Sequence, residues 1–177
     1  INSTMGLFTI IGVYQVVKRL FNKKVAKIAG VLLFFIPFFF GHLAINNKDI
    51  ILTFSHIWIV YYLLKYLDKN YYFKIRFVLL LKLAILSALG TGIQLVFLGS
   101  LIPIFFIFLL INFYFKKRNL KNFVYDFLIY VFLFYAILLM FWVDAHENIF
   151  TLPIVFFNQM YSELLGWPFN LLNGIYF

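Results

Sequence analysis

Long apolar runs separated by short polar stretches set the rhythm of this chain. Residues 1–17 close on the basic loop KRLFNKKVAK, and a second run, about 25–40, ends at the turn 41–49, GHLAINNKD. A third run, about 50–67, ends at LDKNYYFKIR; a fourth begins near Phe77; a fifth ends at Phe115 before KKRN; a sixth, about 122–142, leads into residues 143–177. A helical span needs roughly 20 residues, so these runs predict about six transmembrane helices. Membrane strands alternate with a period of two over about ten residues. The present runs are longer and apolar on every face, which selects helices. The predicted fold class is all-α integral membrane, with a helical region at 1–142 and an outer-face amphipathic segment at 143–177.

Interruptions within the runs refine this picture. Pro37 near the end of the second run frees backbone carbonyls in its last turn. The stretch SALGTGIQLVFLGSLIP, residues 87–103, carries Gly90, Gly92 and Gly99 among Ser87, Thr91, Gln94 and Ser100. It predicts a hairpin turning near Thr91–Gly99, with the glycines serving either close helix packing or the lining of a cavity. Lys82, inside the fourth run, can reach back to headgroups. Asp126, near Lys121, reads as half of a surface ion pair. Residues 152–165 suit an amphipathic helix lying on the membrane, followed by a turn at Asn170–Gly174. No internal repeat is evident.

Composition makes lipid the solvent: 65% of the 177 residues are hydrophobic, where soluble domains run about 45–50%. The net charge of +9 would suit nucleic acid, but its distribution excludes that partner. Fourteen of the 15 basic residues, Lys82 included, cluster at or near the loops after the first, third and fifth runs. That is the alternation of the positive-inside rule, and it puts the turn 41–49 and the tail 143–177 on the non-cytoplasmic side. Lys48 is the exception, and Asp49, Asp144, Glu147 and Glu163 share its side. With no cysteine, redox compartment is not addressed. The chain opens at Ile1 with no charged leader and reads as an internal piece of a longer protein.

Candidate chemistry concentrates at 41–49. Asp49, with oxygens from Asn46 and Asn47, could hold a hard divalent cation such as Mg or Mn. Lys48 could meet a lipid phosphate as a point charge. Taken alone, Asp49 reads better as the cap of a helix beginning at Ile50. His42 could ligate a metal or contact a diphosphate, or simply bond a backbone carbonyl, and the same alternatives hold for His56. His146 and Glu147 are adjacent and make no one-face pair. The chain contains no HExxH, Gly-rich phosphate loop, GxSxG or CxxC.

The run LFNKKVAKIAGVLLFFIPFFFGHLAINNKDI resembles the polyprenyl-phosphate-dependent glycosyltransferases related to protein O-mannosyltransferases, members of the C-type, multi-helix superfamily. A phenylalanine-glycine-histidine followed by asparagine-proline-lysine-aspartate corresponds to Phe40, Gly41, His42 and Asn46–Asp49, with Asn47 where the family usually has proline. Asn148, Pro153 and GWPFNLLNGIYF resemble the family's outer segment, with Ile175 in place of a more typical acid. The resemblance implies transfer of a sugar from a polyprenyl-phosphate donor to an acceptor on the non-cytoplasmic face, most commonly of a bacterial inner membrane. It places Asp49 in a second acidic site for donor phosphate or metal. The catalytic acid is expected in a loop before Ile1. Two other classes stay in view. A transporter or flippase would line a continuous path with Asp49, His56 and Gln94, and a non-catalytic scaffold would use the tail as a binding surface.

Overall fold

The computed structural model describes residues 2–37, 39, 41, 47–68, 72–115, 119–141, 154 and 158. Six helices organise them: α1 (Asn2–Leu20), α2 (Lys23–Phe35), α3 (Asn47–Asp68), α4 (Phe73–Ile93), α5 (Val96–Phe115) and α6 (Leu120–Phe141). No strand occurs among the described residues. By length and composition α3, α5 and α6 can cross a membrane. The six expected runs are thus six helices, three of which qualify as spans. Of the others, α2 has 13 residues, and α4 carries Lys74, Arg76 and Lys82. The tail 143–177 lies outside the described residues apart from Ile154 and Asn158, so its amphipathic helix and turn do as well.

Local chemistry sets the boundaries. Asn22 caps α2, its side-chain oxygen accepting from the amides of Lys24 and Val25 at 2.9 Å each, as an N-cap asparagine does. Pro37 clashes with a helical residue before it. Ile36 accordingly turns extended (φ −70°, ψ 115°) and α2 stops at Phe35, short of the expected 40. Only Gln94 and Leu95 separate α4 from α5. Gln94 is extended, its amide bonds back to the Gly90 carbonyl, and the Phe97 and Leu98 amides bond to Gln94 and Leu95. Gly90 makes the bend possible: a Cβ there would lie 2.4 Å from the Phe97 ring. Of the two roles open for these glycines, Gly90 serves close packing, whereas Gly92 faces open space.

α4 is the hub. It packs along both α3 and α6 and meets the start of α5, while α1 lies between α2 and α3. Its buried face alternates leucines with small residues: Leu79, Leu80, Leu83, Ala84, Ser87, Ala88, Gly90 and Thr91. Small residues one turn apart let helix backbones approach where lipid supplies no hydrophobic drive. Against this face lie Ile59, Leu63 and Leu67 of α3, Leu101 and Phe108 of α5, and Tyr130 of α6. The outward faces stay apolar: Phe35, Phe113 and Phe132 are each more than 70% exposed. Such a surface suits hydrocarbon, not water.

Polar pins join the helices. The Trp58 indole N–H donates to the Phe8 carbonyl at 3.1 Å. Gly12, one turn along α1, leaves the room, since a Cβ there would sit 3.2 Å from that nitrogen. Tyr130 donates to Ser87 at 2.8 Å, tying α6 to α4. Asp126, expected on the surface, is instead 1% exposed. It accepts from the Tyr66 hydroxyl at 2.6 Å and from Arg76 at 2.9 Å. Lys121 lies five residues away, about 140° around the helix, and therefore looks elsewhere. Lys82 sits nine residues into α4, deeper than expected, with its ammonium 5.3 Å from the centre of the Tyr62 ring.

Chain direction follows from these pins. Arg19, ending α1, pairs with Asp68, ending α3, so α1 and α3 run parallel. Tyr66 near the end of α3 shares Asp126 with Arg76 near the start of α4. One end of the bundle therefore gathers Lys18, Arg19, Lys23, Lys24, Arg76 and Lys121. The start of α3, the α4–α5 link and the end of α6 gather at the other.

Candidate functional site

The non-basic end holds the candidate site, which begins in the first turn of α3. The helix starts at Asn47, so Asp49 is not the cap before Ile50 that the sequence offered. It is a first-turn acid, where a carboxylate faces the positive end of the helix dipole. Asp49 is half-buried and Lys48 beside it is exposed. Thr53, one turn on, donates to the Asp49 carbonyl at 2.7 Å. The structure thus places Lys48 and Asp49 together at the mouth of the bundle. His42 and Asn46 lie outside the described residues, as does the side chain of Asn47.

Two turns deeper, on the same stripe of α3, is His56. Its Nδ1 lies 3.2 Å from the Leu52 carbonyl and its Nε2 2.7 Å from Ser100 Oγ on α5. Ser100 in turn donates to the Phe97 carbonyl at 2.6 Å, and the Phe97 ring lies 4.2 Å from the imidazole, centre to centre. The sequence set His56 beside Asp49 and Gln94 only in the transporter alternative and offered Ser100 only as part of a glycine-rich stretch. The missing signal was the two-residue link, which brings the first turns of α5 back beside α3. Two more hydroxyls, Ser55 and Thr91, are fully buried with no partner among the described residues. The Arg76–Asp126–Tyr66 cluster was also missed. Its signal was opposite charges at matching depth from the basic end of different runs.

Asp49 is the described carboxylate at the non-basic end. Mg needs a near-octahedral oxygen shell, the other described acids Asp68 and Asp126 belong to the basic end, and no group of three potential ligands occurs among the described residues. A groove of about 400 Å³, walled by α1, α3 and α4, is lined by Met5, Phe8, Phe54, Trp58, Tyr62 and Lys82. Its wall is mostly apolar, with Lys82 as its charged group and Thr4 and Tyr62 adding hydroxyls.

Three helices apolar enough to span, polar pins between them and a lipid-compatible exterior define a helical integral membrane protein. The family model described as dolichyl-phosphate-mannose-protein mannosyltransferase matches residues 2–147, and the chain belongs to that glycosyltransferase family. No curated protein and no solved structure matches it.

Proposed function

We propose that this chain forms part of a membrane glycosyltransferase that takes its sugar from a polyprenyl-phosphate donor and works on the non-cytoplasmic face. The observation that carries the reading is the convergence of Lys48 and Asp49, the α4–α5 link and the end of α6 at the end of the bundle away from the basic clusters, in a chain of the mannosyltransferase family. The apolar groove between α1, α3 and α4 supports it, since an isoprenoid chain wants such a wall. A bacterial inner membrane is the setting proposed.

The reaction is a single inverting displacement. An acceptor hydroxyl attacks the anomeric carbon as the bond to the lipid phosphate breaks; the electron pair leaves on the phosphate oxygen, and the hydroxyl's proton passes to the base that the family resemblance puts in a loop before Ile1. Fixed positive charge aimed at that oxygen lowers the barrier. Lys48 is the described residue suited to it, with His42 and Asn46, which lie outside the described residues, as further donors. Asp49 orients the phosphate side and is not the base that takes the acceptor's proton. A divalent cation at Asp49 would require ligands beyond the described residues, and no step is routed through one.

The test is Asp49→Asn in the intact enzyme, assayed for transfer from a polyprenyl-phosphate sugar, with Lys48→Gln alongside. Loss of turnover of tenfold or more, about 1.4 kcal/mol of transition-state stabilisation, is expected for each. Undiminished transfer by Asp49→Asn removes this residue from the mechanism.

A further inference from the structure

The first two helices meet through small residues. Ala26 and Gly30, one turn apart on α2, are buried where that helix packs on α1, and a Cβ at Gly30 would lie 3.7 Å from Ile10. Small residues at this spacing bring helix backbones together and leave the larger side chains beside the seam. Those side chains wall a groove of about 520 Å³, with Leu7, Ile11 and Tyr14 on α1 and Lys27, Val31 and Phe34 on α2. Each set keeps the spacing of one helical stripe. Leu7, Ile11, Val31 and Phe34 are all exposed, so the groove lies open along its length. Its volume falls within the range of about 300–1,000 Å³ usual for ligand sites.

Charge falls at one end of this groove. Only Phe21 and Asn22 join α1 to α2, so Lys18, one turn after Tyr14, and Lys27 both lie toward the basic end. Lys18 leans back over Tyr14, its ammonium 5.9 Å from the ring centre. Lys23 and Lys24 add two cations in the first turn of α2. The acids of the chain stand elsewhere or are engaged. Asp68 pairs with Arg19 and Asp126 with Arg76, and the basic-end stretches 69–71 and 116–118 contain no acid. Asp49 opens α3 at the opposite end, and Asp144, Glu147 and Glu163 come after α6, whose end lies away from the basic clusters. Clusters of lysine beside a membrane helix, and basic pockets between helices on the cytoplasmic side, attract anionic lipid headgroups. The wall therefore calls for an amphipathic occupant, anionic at the lysines and hydrocarbon along Ile11, Val31 and Phe34.

We propose that the α1–α2 groove binds an anionic phospholipid from the leaflet at the basic end, the cytoplasmic one by the positive-inside rule. Its phosphate sits between Lys18 and Lys27, and one acyl chain lies along Ile11, Val31 and Phe34. The site is at the other end of the bundle from Lys48 and Asp49, and it stands independently of the glycosyltransferase reading.

The experiment places the intact protein in phosphatidylcholine nanodiscs doped with a lipid carrying a photoreactive diazirine on one acyl chain. The probe is either phosphatidylglycerol or phosphatidylcholine with the same chains, and labelled peptides are read by mass spectrometry. Phosphatidylglycerol is expected to label α1 and α2 in preference to phosphatidylcholine by about tenfold or more, and Lys18→Gln or Lys27→Gln to cut that preference by roughly fivefold each. Lys65→Gln combined with Lys74→Gln, which removes the same charge from α3 and α4 at the basic end, is expected to leave it unchanged. Equal labelling by the two lipids overturns the proposal. So does an equal loss of preference in the α3–α4 control, which would make the attraction a diffuse surface charge. Labelling of neither helix by either lipid overturns it as well, since another stretch of protein then covers the groove.

Discussion

Asp126 and Arg76 form the most consequential residue pair of the basic end, because the carboxylate is almost wholly buried and the guanidinium nearly so, at 2% and 15% side-chain exposure. Removing one partner strands the other charge, at a cost of about 3–5 kcal/mol. Asp126→Ala is therefore expected to lower the detergent unfolding midpoint sharply. Asp126→Leu combined with Arg76→Met is expected to lower it less than the two single changes summed. Gly90→Ala drives a methyl group into the Phe97 ring and is expected to cost about 1–3 kcal/mol. Gly92→Ala, with nothing within 4 Å of its Cβ, is expected to be close to neutral in the same measurement. At this scale the sequence was legible where a residue acts on its own backbone, as at Pro37. It was opaque where the partner comes from another helix. Nothing local to Asp126 says that Tyr66, sixty residues earlier, supplies its hydrogen bond.

Elements were the most readable level, since each of the six apolar runs became a helix, although α2 ended before Pro37 and not at the polar turn. Their ranking was not readable. Hydropathy favours α5 and α6, yet α4 is the hub, because small residues and three cations depress its apolarity while its buried face touches three neighbours. The junction of α1 and α3 offers a contrast in magnitude. The Arg19–Asp68 pair is 25% and 44% exposed, and exposed pairs contribute about 0–1 kcal/mol. The Trp58 N–H to Phe8 bond is specific to the Gly12 gap and contributes about 1 kcal/mol. Trp58→Phe is thus expected to destabilise the junction more than Arg19→Ala does, as read by hydrogen exchange of α1 amides.

For the whole molecule, the alternation of basic loops anticipated which helix ends share a side. The candidate site was legible only in part: Lys48 and Asp49 stood out as charges between apolar runs, while His56 with Ser100 required the fold of the α4–α5 link. The absence of cysteine makes sidedness directly measurable. A single cysteine at Lys48 is expected to react with a membrane-impermeant maleimide added to intact cells, and one at Asn22 only after permeabilisation. Labelling of both from the same side would dismantle the proposed site.

The two-residue link between α4 and α5 also bears on biogenesis. Lys74, Arg76 and Lys82 each oppose partition of α4 from the translocon, by up to about 3 kcal/mol at the middle of a helix, whereas α5 is twenty residues with no charge. So short a link leaves no separate passage, and the reluctant helix is carried in by its successor as one hairpin. In a microsomal insertion assay, α4 alone is expected to integrate poorly and the α4–α5 pair efficiently; equal integration would show that α4 needs no escort.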